Sequence, residues 1–144
     1  MSSLEAANLA TIRAYLEALQ GGAVGEALAK FFTPDVRQIE LPNRLNPGGG
    51  VSDLPRLLQR AEQGQKFLRS QRYEVQSEVA QGQRVAIEVK WTGMLAVPFE
   101  SLHAGATMVA HFAVFFEFNE GLIRLQRNTT ASNHGRRSAY EQGA

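Results

Sequence analysis

Residues 106–121 read ATMVAHFAVFFEFNEG, and this stretch decides the fold. Every second side chain in it is apolar, and the side chains between them are largely apolar too. One face carries Met108, Ala110, Phe112, Val114, Phe116 and Phe118, and the other carries Val109, His111, Ala113 and Phe115. A period of two indicates a β-strand, and apolar residues on both faces predict that this strand is central in its sheet. The run Asn119-Glu120-Gly121 predicts the tight turn that ends it.

Further strands are predicted on both sides of this central one. Alternation defines one face of the two preceding strands, formed by Tyr73, Val75, Ser77 and Val79 and by Val85, Ile87, Val89 and Trp91. Gln81-Gly82 lies between them and predicts a hairpin turn. Residues 122–130 follow the second turn as a last strand. Together these segments predict an antiparallel meander whose first strands have one wet face.

The start of the chain is predicted to be helical. Ser2 and Glu5 stand at the spacing of a capping box, and an apolar stripe at positions three and four apart follows. The stripe consists of Leu9, Ile12, Leu16 and Leu19. A short helix is predicted over residues 24–32 and a strand over residues 36–41.

A loop and a third helix complete the first half of the chain. Residues 43–50 have no periodicity and end in three glycines, so they predict a loop. Residues 54–68 carry leucines at helical spacing and predict a helix. Helices followed by a meander indicate an α+β class. We predict one domain over residues 1–131 and a polar tail over residues 132–144.

The composition restricts the function classes. The chain has 144 residues, a net charge of +1 and no cysteine, which excludes disulfides, thiolate metal sites and a thiol nucleophile. The small net charge argues against nucleic acid or an anionic membrane as a partner. Residues His103, His111 and His134 lack metal-site spacing, so we expect no metal and no cofactor. The absence of a signal peptide or apolar span predicts a cytoplasmic protein.

Several short segments of the sequence resemble those of a known family. Trp91-Thr92-Gly93 stands near the end of a strand, residues 116–121 form the next turn, and Ile123 lies beyond it. With the segment PNRLNPGG at residues 42–49, this pattern resembles the SnoaL-like branch of the nuclear transport factor two-like superfamily, over roughly residues 4–130. The resemblance implies a cone-shaped, curved, mixed or antiparallel sheet with three N-terminal helices closing an apolar pocket. Ketosteroid isomerases, polyketide cyclases, epoxide hydrolases, scytalone dehydratases and non-catalytic binding proteins share this fold.

The residues that carry catalysis in the ketosteroid isomerases are mostly missing. The isomerase tyrosine falls on Tyr15, whereas its base aspartate falls on Leu41 and its oxyanion-hole aspartate on Val114. Without a base, that reaction has no first step, so we reject it. Asp35 and Asp53 are the chain's aspartates, and neither lies in the meander. Polyketide cyclases and limonene-type epoxide hydrolases of this fold use strand aspartates, so these two activities are doubtful too.

Three residues are the best catalytic candidates, namely Tyr15, Glu40 and Asn128. Alternation with its neighbours predicts that Glu40 points away from the pocket, although it is the strand carboxylate closest to the expected mouth. The predicted ligand-binding set is Tyr15, Leu41, Asn43, Trp91, Met108, Phe112, Val114, Phe116, Gln126 and Asn128. For the last strand, Ile123 and Leu125 look core-facing, whereas the resemblance turns Gln126, Asn128 and Thr130 inward. A β-bulge near Leu125 would reconcile the two.

Two functions remain open. The first is a pocket that binds or transforms a small, mostly apolar molecule with one oxygen function, by isomerase-like, dehydratase-like or cyclase-like chemistry. The second is a non-catalytic dimerisation or regulatory module. The apolar outer positions Val109, Ala113 and Phe115 predict a homodimer through the convex sheet face in either case.

Overall fold

The structure is a computed structural model that describes residues 1–44 and 46–132. Its elements are α1 (Ser3–Gln20), α2 (Glu26–Ala29), β1 (Phe32–Glu40), β2 (Gly50–Ser52), α3 (Leu54–Phe67), β3 (Leu68–Gln81), β4 (Arg84–Leu95), β5 (Thr107–Asn119) and β6 (Leu122–Ser132). The predicted α+β class is thereby confirmed. Apart from Ser132, the predicted polar tail lies outside the described residues. No helix in the described part is long and apolar enough to cross a membrane.

The strands form one mixed sheet in the order β2-β1-β6-β5-β4-β3. β1 runs parallel to β6, and the other neighbouring strands are antiparallel. β5 lies between β4 and β6, which is the central position that its two apolar faces predict. The helices cover one face of the sheet, called here the inner face, which carries Val36, Val89, Phe116 and Ile123 in the core. The opposite face is called the outer face.

The first helix begins where the capping box predicts. The Ser2 hydroxyl accepts from the Glu5 backbone N–H, and the Glu5 carboxylate accepts from the Ser2 backbone N–H. The other Glu5 oxygen accepts from the Gly82 backbone N–H at 2.7 Å, which joins the start of α1 to the β3–β4 turn. The predicted stripe packs inward, with Ile12 only 1% exposed. These contacts set the position of α1 along the sheet.

The glycine-rich run contains a strand that its sequence does not predict. β2 pairs antiparallel with the end of β1, so that Val51 lies opposite Ile39. Gly49 has φ +63, and a Cβ there would lie 2.5 Å from the Glu40 carbonyl oxygen. Only glycine fits that combination of backbone angle and close approach. The run therefore forms a tight turn, and an edge strand of the sheet follows it.

A bulge in β3 corrects the predicted facing of that strand. The register shifts between Val75 and Ser77, so that Glu78 lies opposite Ile87. One extra residue reverses the parity of all that follow. Val79 consequently stands on the outer face and is 62% exposed, although it was predicted to share a face with Val75. Glu78 instead reaches α1, where it pairs with Arg13.

A second bulge settles the facing of β6. Leu125 lies opposite Glu117 and Ile123 opposite Phe118, so that Arg124 is the extra residue. Ile123 is 0% exposed and Gln126 is 5% exposed, and both face inward. Ile123 and Gln126 therefore face inward on either side of the bulge, as the two assignments predicted. The expectation that Leu125 also faces the core is wrong, because Leu125 lies opposite Glu117 on the outer face.

Candidate functional site

A cavity of about 230 Å³ lies between the inner face of the sheet and the helices. Every helix contributes to its wall, and so do β1 and the four strands of the meander. The lining consists of Tyr15, Leu16, Leu19, Leu28, Gln38, Leu57, Arg60, Ala61, Tyr73, Ile87, Val89, Phe112, Val114, Phe116, Gln126 and Asn128. A 150 Å³ cavity can hold benzene. This one therefore has room for a single substituted ring.

Tyr15 is the buried phenol of this wall. Its side chain is 4% exposed and meets the rings of Phe31 and Phe32 edge-on, with ring centroids at 5.7 Å and 5.3 Å. Burial raises the pKa of Tyr15 well above its ordinary value, the nearby Tyr73 adds to this rise, and the Gln126 amide acts in the opposite direction. Tyr15 is therefore neutral at neutral pH and carries a proton that it can donate.

Tyr73 is a second phenol in the lining, but its hydroxyl is engaged. It donates to Gln71 Oε1 at 3.2 Å, and the same oxygen accepts from Trp91 Nε1 at 2.9 Å. Gln71 in turn donates to the Leu19 carbonyl of α1 at 3.0 Å. Burial raises the pKa of Tyr73 to about 12. This network ties β3 and β4 to α1 and engages the Tyr73 hydroxyl, whereas the Tyr15 hydroxyl lies beside the Gln126 amide.

Gln126 carries an unpaired acceptor. Its Nε2 donates to Asn128 Oδ1 at 3.1 Å. Its Oε1 is buried and has no hydrogen-bond partner among the described residues. An unpaired buried acceptor costs roughly 1–3 kcal/mol. Asn8 Nδ2, Thr33 Oγ1 and Thr130 Oγ1 are also buried without a partner among the described residues, but Gln126 is the one of these four residues that lines the cavity. A ligand with an O–H or N–H group in the cavity would satisfy it.

The end of β1 differs from the prediction. Val36, Gln38 and Glu40 share the inner face, because the strand starts at Phe32 and Val36 is the residue buried at 0% exposure. Glu40 therefore points inward rather than outward. The prediction counted the alternation from Ile39 and Leu41 as core residues, and the observed pairing places Leu41 beyond the strand, 38% exposed.

Glu40 is held at the mouth of the cavity by two groups. Its Oε2 accepts from Asn46 Nδ2 at 2.9 Å and pairs with Arg60 Nη2 at 3.4 Å. Arg60 Nη1 also donates to Ser52 Oγ at 3.4 Å. Arg60 belongs to the lining and Glu40 does not. Among the described lining residues, none has a carboxylate or an imidazole, so the interior offers phenols and amides, with one guanidinium at its edge.

The structure brings together six of the predicted ligand-binding residues and separates four. The lining contains Tyr15, Phe112, Val114, Phe116, Gln126 and Asn128. Leu41 lies beyond the end of β1 and outside the lining. Asn43 lies in the turn that follows, where its Nδ2 donates to the Leu41 carbonyl. Trp91 and Met108 belong to a second apolar cluster, with Leu95 and Ala110, at the other end of the strands.

Three polar lining residues escaped the sequence reasoning. Gln38 follows from alternation with Val36 once the start of β1 is known. Arg60 lies between Leu57 and Ala61 on α3, so the helical period places it beside the apolar face. Tyr73 was predicted to be inward but was not assigned to the pocket. The periodic patterns that would have identified Gln38 and Arg60 were present, but their use depended on knowing which residues of β1 and α3 turn toward the core.

Other candidates have structural positions. Asp53 caps α3 by accepting from the Arg56 N–H at 3.0 Å, and Asp35 is exposed on β1. His111 is exposed on the outer face of β5, opposite Lys90. Within residues 1–44 and 46–132, no group of three or more potential metal ligands is present.

Comparison with known proteins adds a family and a fold. The family model for the SnoaL-like domain matches residues 12–126. No curated protein matches the sequence. IdmH from Streptomyces antibioticus, a proposed polyketide cyclase, superimposes with a TM-score of 0.72 at 21% identity over 95% of this chain and 99% of that one.

Two further solved structures resemble the chain at similar distances. AclR from Streptomyces galilaeus, a proposed hydroxylase, has a TM-score of 0.73 at 17% identity and covers 88% of this chain and 79% of its own. An LEH-like epoxide hydrolase from M. tuberculosis has a TM-score of 0.67 at 15% identity and covers 88% of this chain and 84% of its own. Identities this low show the shared cone-shaped fold and leave the activity open.

Proposed function

The chain belongs to the SnoaL-like domain family, and we propose that it binds a small, mostly apolar molecule through one oxygen function beside Tyr15. Its structural neighbours include a proposed polyketide cyclase and an epoxide hydrolase, and both names refer to small molecules that carry oxygen. The cavity of about 230 Å³ suits a molecule of one ring. Apolar side chains from β4, β5 and the three helices would surround the body of that molecule.

One observation carries the proposal. Gln126 Oε1 is buried without a partner, in the same wall as the neutral phenol of Tyr15. If this region were only a packed core, an apolar residue in place of Gln126 would make the protein more stable than an unpaired amide oxygen does. A ligand oxygen that accepts from Tyr15, on a molecule that also donates to Gln126, satisfies both groups. A hydroxyketone, an enol or a phenol has this combination.

The reaction class that this site can support is proton transfer next to a carbonyl group. Tyr15 would polarise the carbonyl oxygen by donating a hydrogen bond, and its proton stays on the phenol because its pKa is raised. Glu40 lies outside the lining, at the mouth, and would accept the α-proton of a ligand that extends to it. The C–H electron pair then moves into the enolate, whose oxygen is stabilised by Tyr15.

A thermal-shift experiment tests the binding step. Small ketones, lactones, epoxides and phenols are screened against the wild type, Tyr15→Phe and Tyr73→Phe. A ligand at 100 times its Kd should stabilise the wild type by about 2.7 kcal/mol. Tyr15→Phe should reduce this response, whereas Tyr73→Phe should retain it, because that hydroxyl already bonds to Gln71. If no compound stabilises the wild type, the proposal fails.

Exchange of ketone α-protons in D₂O tests the chemical step. NMR would follow loss of the α-proton signal for a ketone that binds. Exchange should be faster with the wild type than with Glu40→Gln, and Tyr15→Phe should slow it as well. Binding without exchange would mean that the site is a binding site alone.

The outer face favours a second proposal, namely that two copies associate through it. Phe115 is 47% exposed there, and the Arg127 guanidinium lies 5.7 Å from its ring centroid. The neighbouring strand presents Glu88 and Lys90 on the same face, so a two-fold contact could pair opposite charges around the aromatic residue. Light scattering on the full chain would measure the mass, and a monomer at micromolar concentration would refute this proposal.

A further inference from the structure

We infer that the ligand of the cavity carries a carboxylate, that Arg60 binds this group at the mouth, and that the opposite end of the ligand meets Tyr15 and Gln126. The inference rests on the proposed function, because it assigns ligand chemistry to the same cavity. It makes Arg60 the residue that determines specificity.

Arg60 supplies the formal charge of the described lining. It stands on α3 between Leu57 and Ala61, which also line the cavity. Its side chain is 43% exposed, so the guanidinium remains hydrated at the mouth while its stem covers the apolar wall. A cation at the edge of an apolar cavity attracts a molecule with an apolar body and an anionic end. The guanidinium stays charged throughout the physiological pH range.

The donors of Arg60 are only loosely used within the chain. Its two hydrogen bonds, to Glu40 and to Ser52, are both 3.4 Å long. Charge-assisted bonds of arginine are typically about 2.7–2.9 Å long, and the guanidinium has five N–H donors. The planar fork of donors is therefore available for a carboxylate, whose two oxygens it can hold together.

Glu40 can release Arg60 without losing all its partners. The same oxygen that faces Arg60 accepts from Asn46 Nδ2 at 2.9 Å. A ligand carboxylate would take the place of Glu40 on the guanidinium, while Glu40 stays bonded to the turn. The pair at the mouth is thus an exchangeable contact, and removal of the Glu40 charge should favour the incoming anion.

The volume of the cavity limits the size of the ligand. Gln38 lies opposite Gln126 and Glu40 lies opposite Asn128, so the charged pair at the mouth lies beside the strand positions that carry the amides. A volume of about 230 Å³ has room for one substituted ring, with the carboxylate at Arg60 and an oxygen at the Tyr15 end. We therefore assign the ligand class as small aromatic or alicyclic acids with a hydroxyl or keto group across the ring.

Matched acids and amides test this assignment. Isothermal titration would use 4-hydroxybenzoate with 4-hydroxybenzamide and 4-oxocyclohexanecarboxylate with its amide, because each pair differs only in the group that would meet Arg60. The wild type should bind each acid about three to ten times more tightly than its amide, the range expected for a partly exposed ion pair. Arg60→Gln should abolish this preference. Arg56→Gln, a change of the same kind at an exposed position of α3 outside the lining, should keep it.

Two further readouts separate charge recognition from general damage. Raising the salt concentration should weaken acid binding by the wild type and leave amide binding unchanged. Glu40→Gln should strengthen acid binding, because it removes the competing carboxylate.

The failures of the two proposals are distinguishable. Equal binding of acid and amide by the wild type, or a preference for the acid that survives Arg60→Gln, would overturn the carboxylate assignment and leave the proposed function intact. If neither acids nor amides bind, and no ketone or phenol of the earlier screen stabilises the protein, both proposals are overturned.

Discussion

Replacing Gln126 with methionine should make the free protein more stable and its ligand response weaker. The two side chains have similar length and volume, so the change introduces little strain. It removes the hydrogen bond from Nε2 to Asn128 Oδ1 at 3.1 Å, which contributes about 1 kcal/mol, together with the contact of the amide with the Tyr15 hydroxyl. It also removes the unpaired Oε1, whose burial costs roughly 1–3 kcal/mol. The balance is a gain of about 1 kcal/mol, or a Tm rise of about 2–4 °C for a domain of this size.

Gln71→Met is the matched control, because it is the same chemical change at a fully engaged amide. Gln71 makes three bonds, at 3.0 Å to the Leu19 carbonyl, 3.2 Å from the Tyr73 hydroxyl and 2.9 Å from Trp91 Nε1. At roughly 1 kcal/mol each, their loss should destabilise the protein by about 3 kcal/mol.

Urea unfolding, followed by circular dichroism, measures both variants against the wild type. The wild type and Gln126→Met should have equal m values, since the surface exposed on unfolding is unchanged. A loss of more than about 1 kcal/mol in Gln126→Met would refute the reasoning, because it would mean that Oε1 is paired in the free protein. In the thermal-shift screen, Gln126→Met should respond less than the wild type to any ligand that donates to this oxygen.

Three other outcomes follow from particular contacts. The pKa values of Tyr15 and Tyr73 in the folded state lie above 10.0, so the folded state keeps protons that the unfolded state releases. The free energy of unfolding should therefore fall above pH 10 by about 1.4 kcal/mol per pH unit per tyrosine. In Tyr15→Phe it should fall less steeply. Gly49→Ala should cost about 2 kcal/mol in urea unfolding, because φ is +63 and the new Cβ would lie 2.5 Å from the Glu40 carbonyl oxygen; an unchanged midpoint would contradict this. Phe115→Glu should convert a dimer to a monomer in light scattering and leave the Tm response to ligands in place, whereas a dimer that persists would place the contact elsewhere.

Local patterns predicted the parts of the fold whose causes are local. The capping box at Ser2 and Glu5 needs only four consecutive residues, and it was visible in the sequence. Alternation also predicted β4 and β5. Every second residue from Val85 to Trp91 and from Met108 to Phe118 faces inward, without interruption. These strands pair in a single continuous register, so a period of two suffices to assign their faces.

The errors come from single residues that change parity. The extra residue in β3, Gln76, turns Val79 outward and Glu78 toward α1, and nothing in the local sequence distinguishes Gln76 as the point of change. In β1, counting from Ile39 rather than from Val36 reversed the expected direction of Glu40. A bulge costs little locally and reassigns every side chain beyond it, so the faces of such strands depend on their pairing partners.

The mouth of the cavity depends on the segment that carried the least sequence signal. The positive φ of Gly49 lets the chain turn tightly against Glu40, and β2 can then pair with the end of β1. This pairing brings Ser52 to Arg60, while Asn46 in the same turn bonds to Glu40. A run of glycines without periodicity thereby positions the charged pair beside the amide and phenol wall. The arrangement of this mouth depends on backbone geometry as much as on the charged side chains, and sequence patterns of apolar residues do not record that geometry.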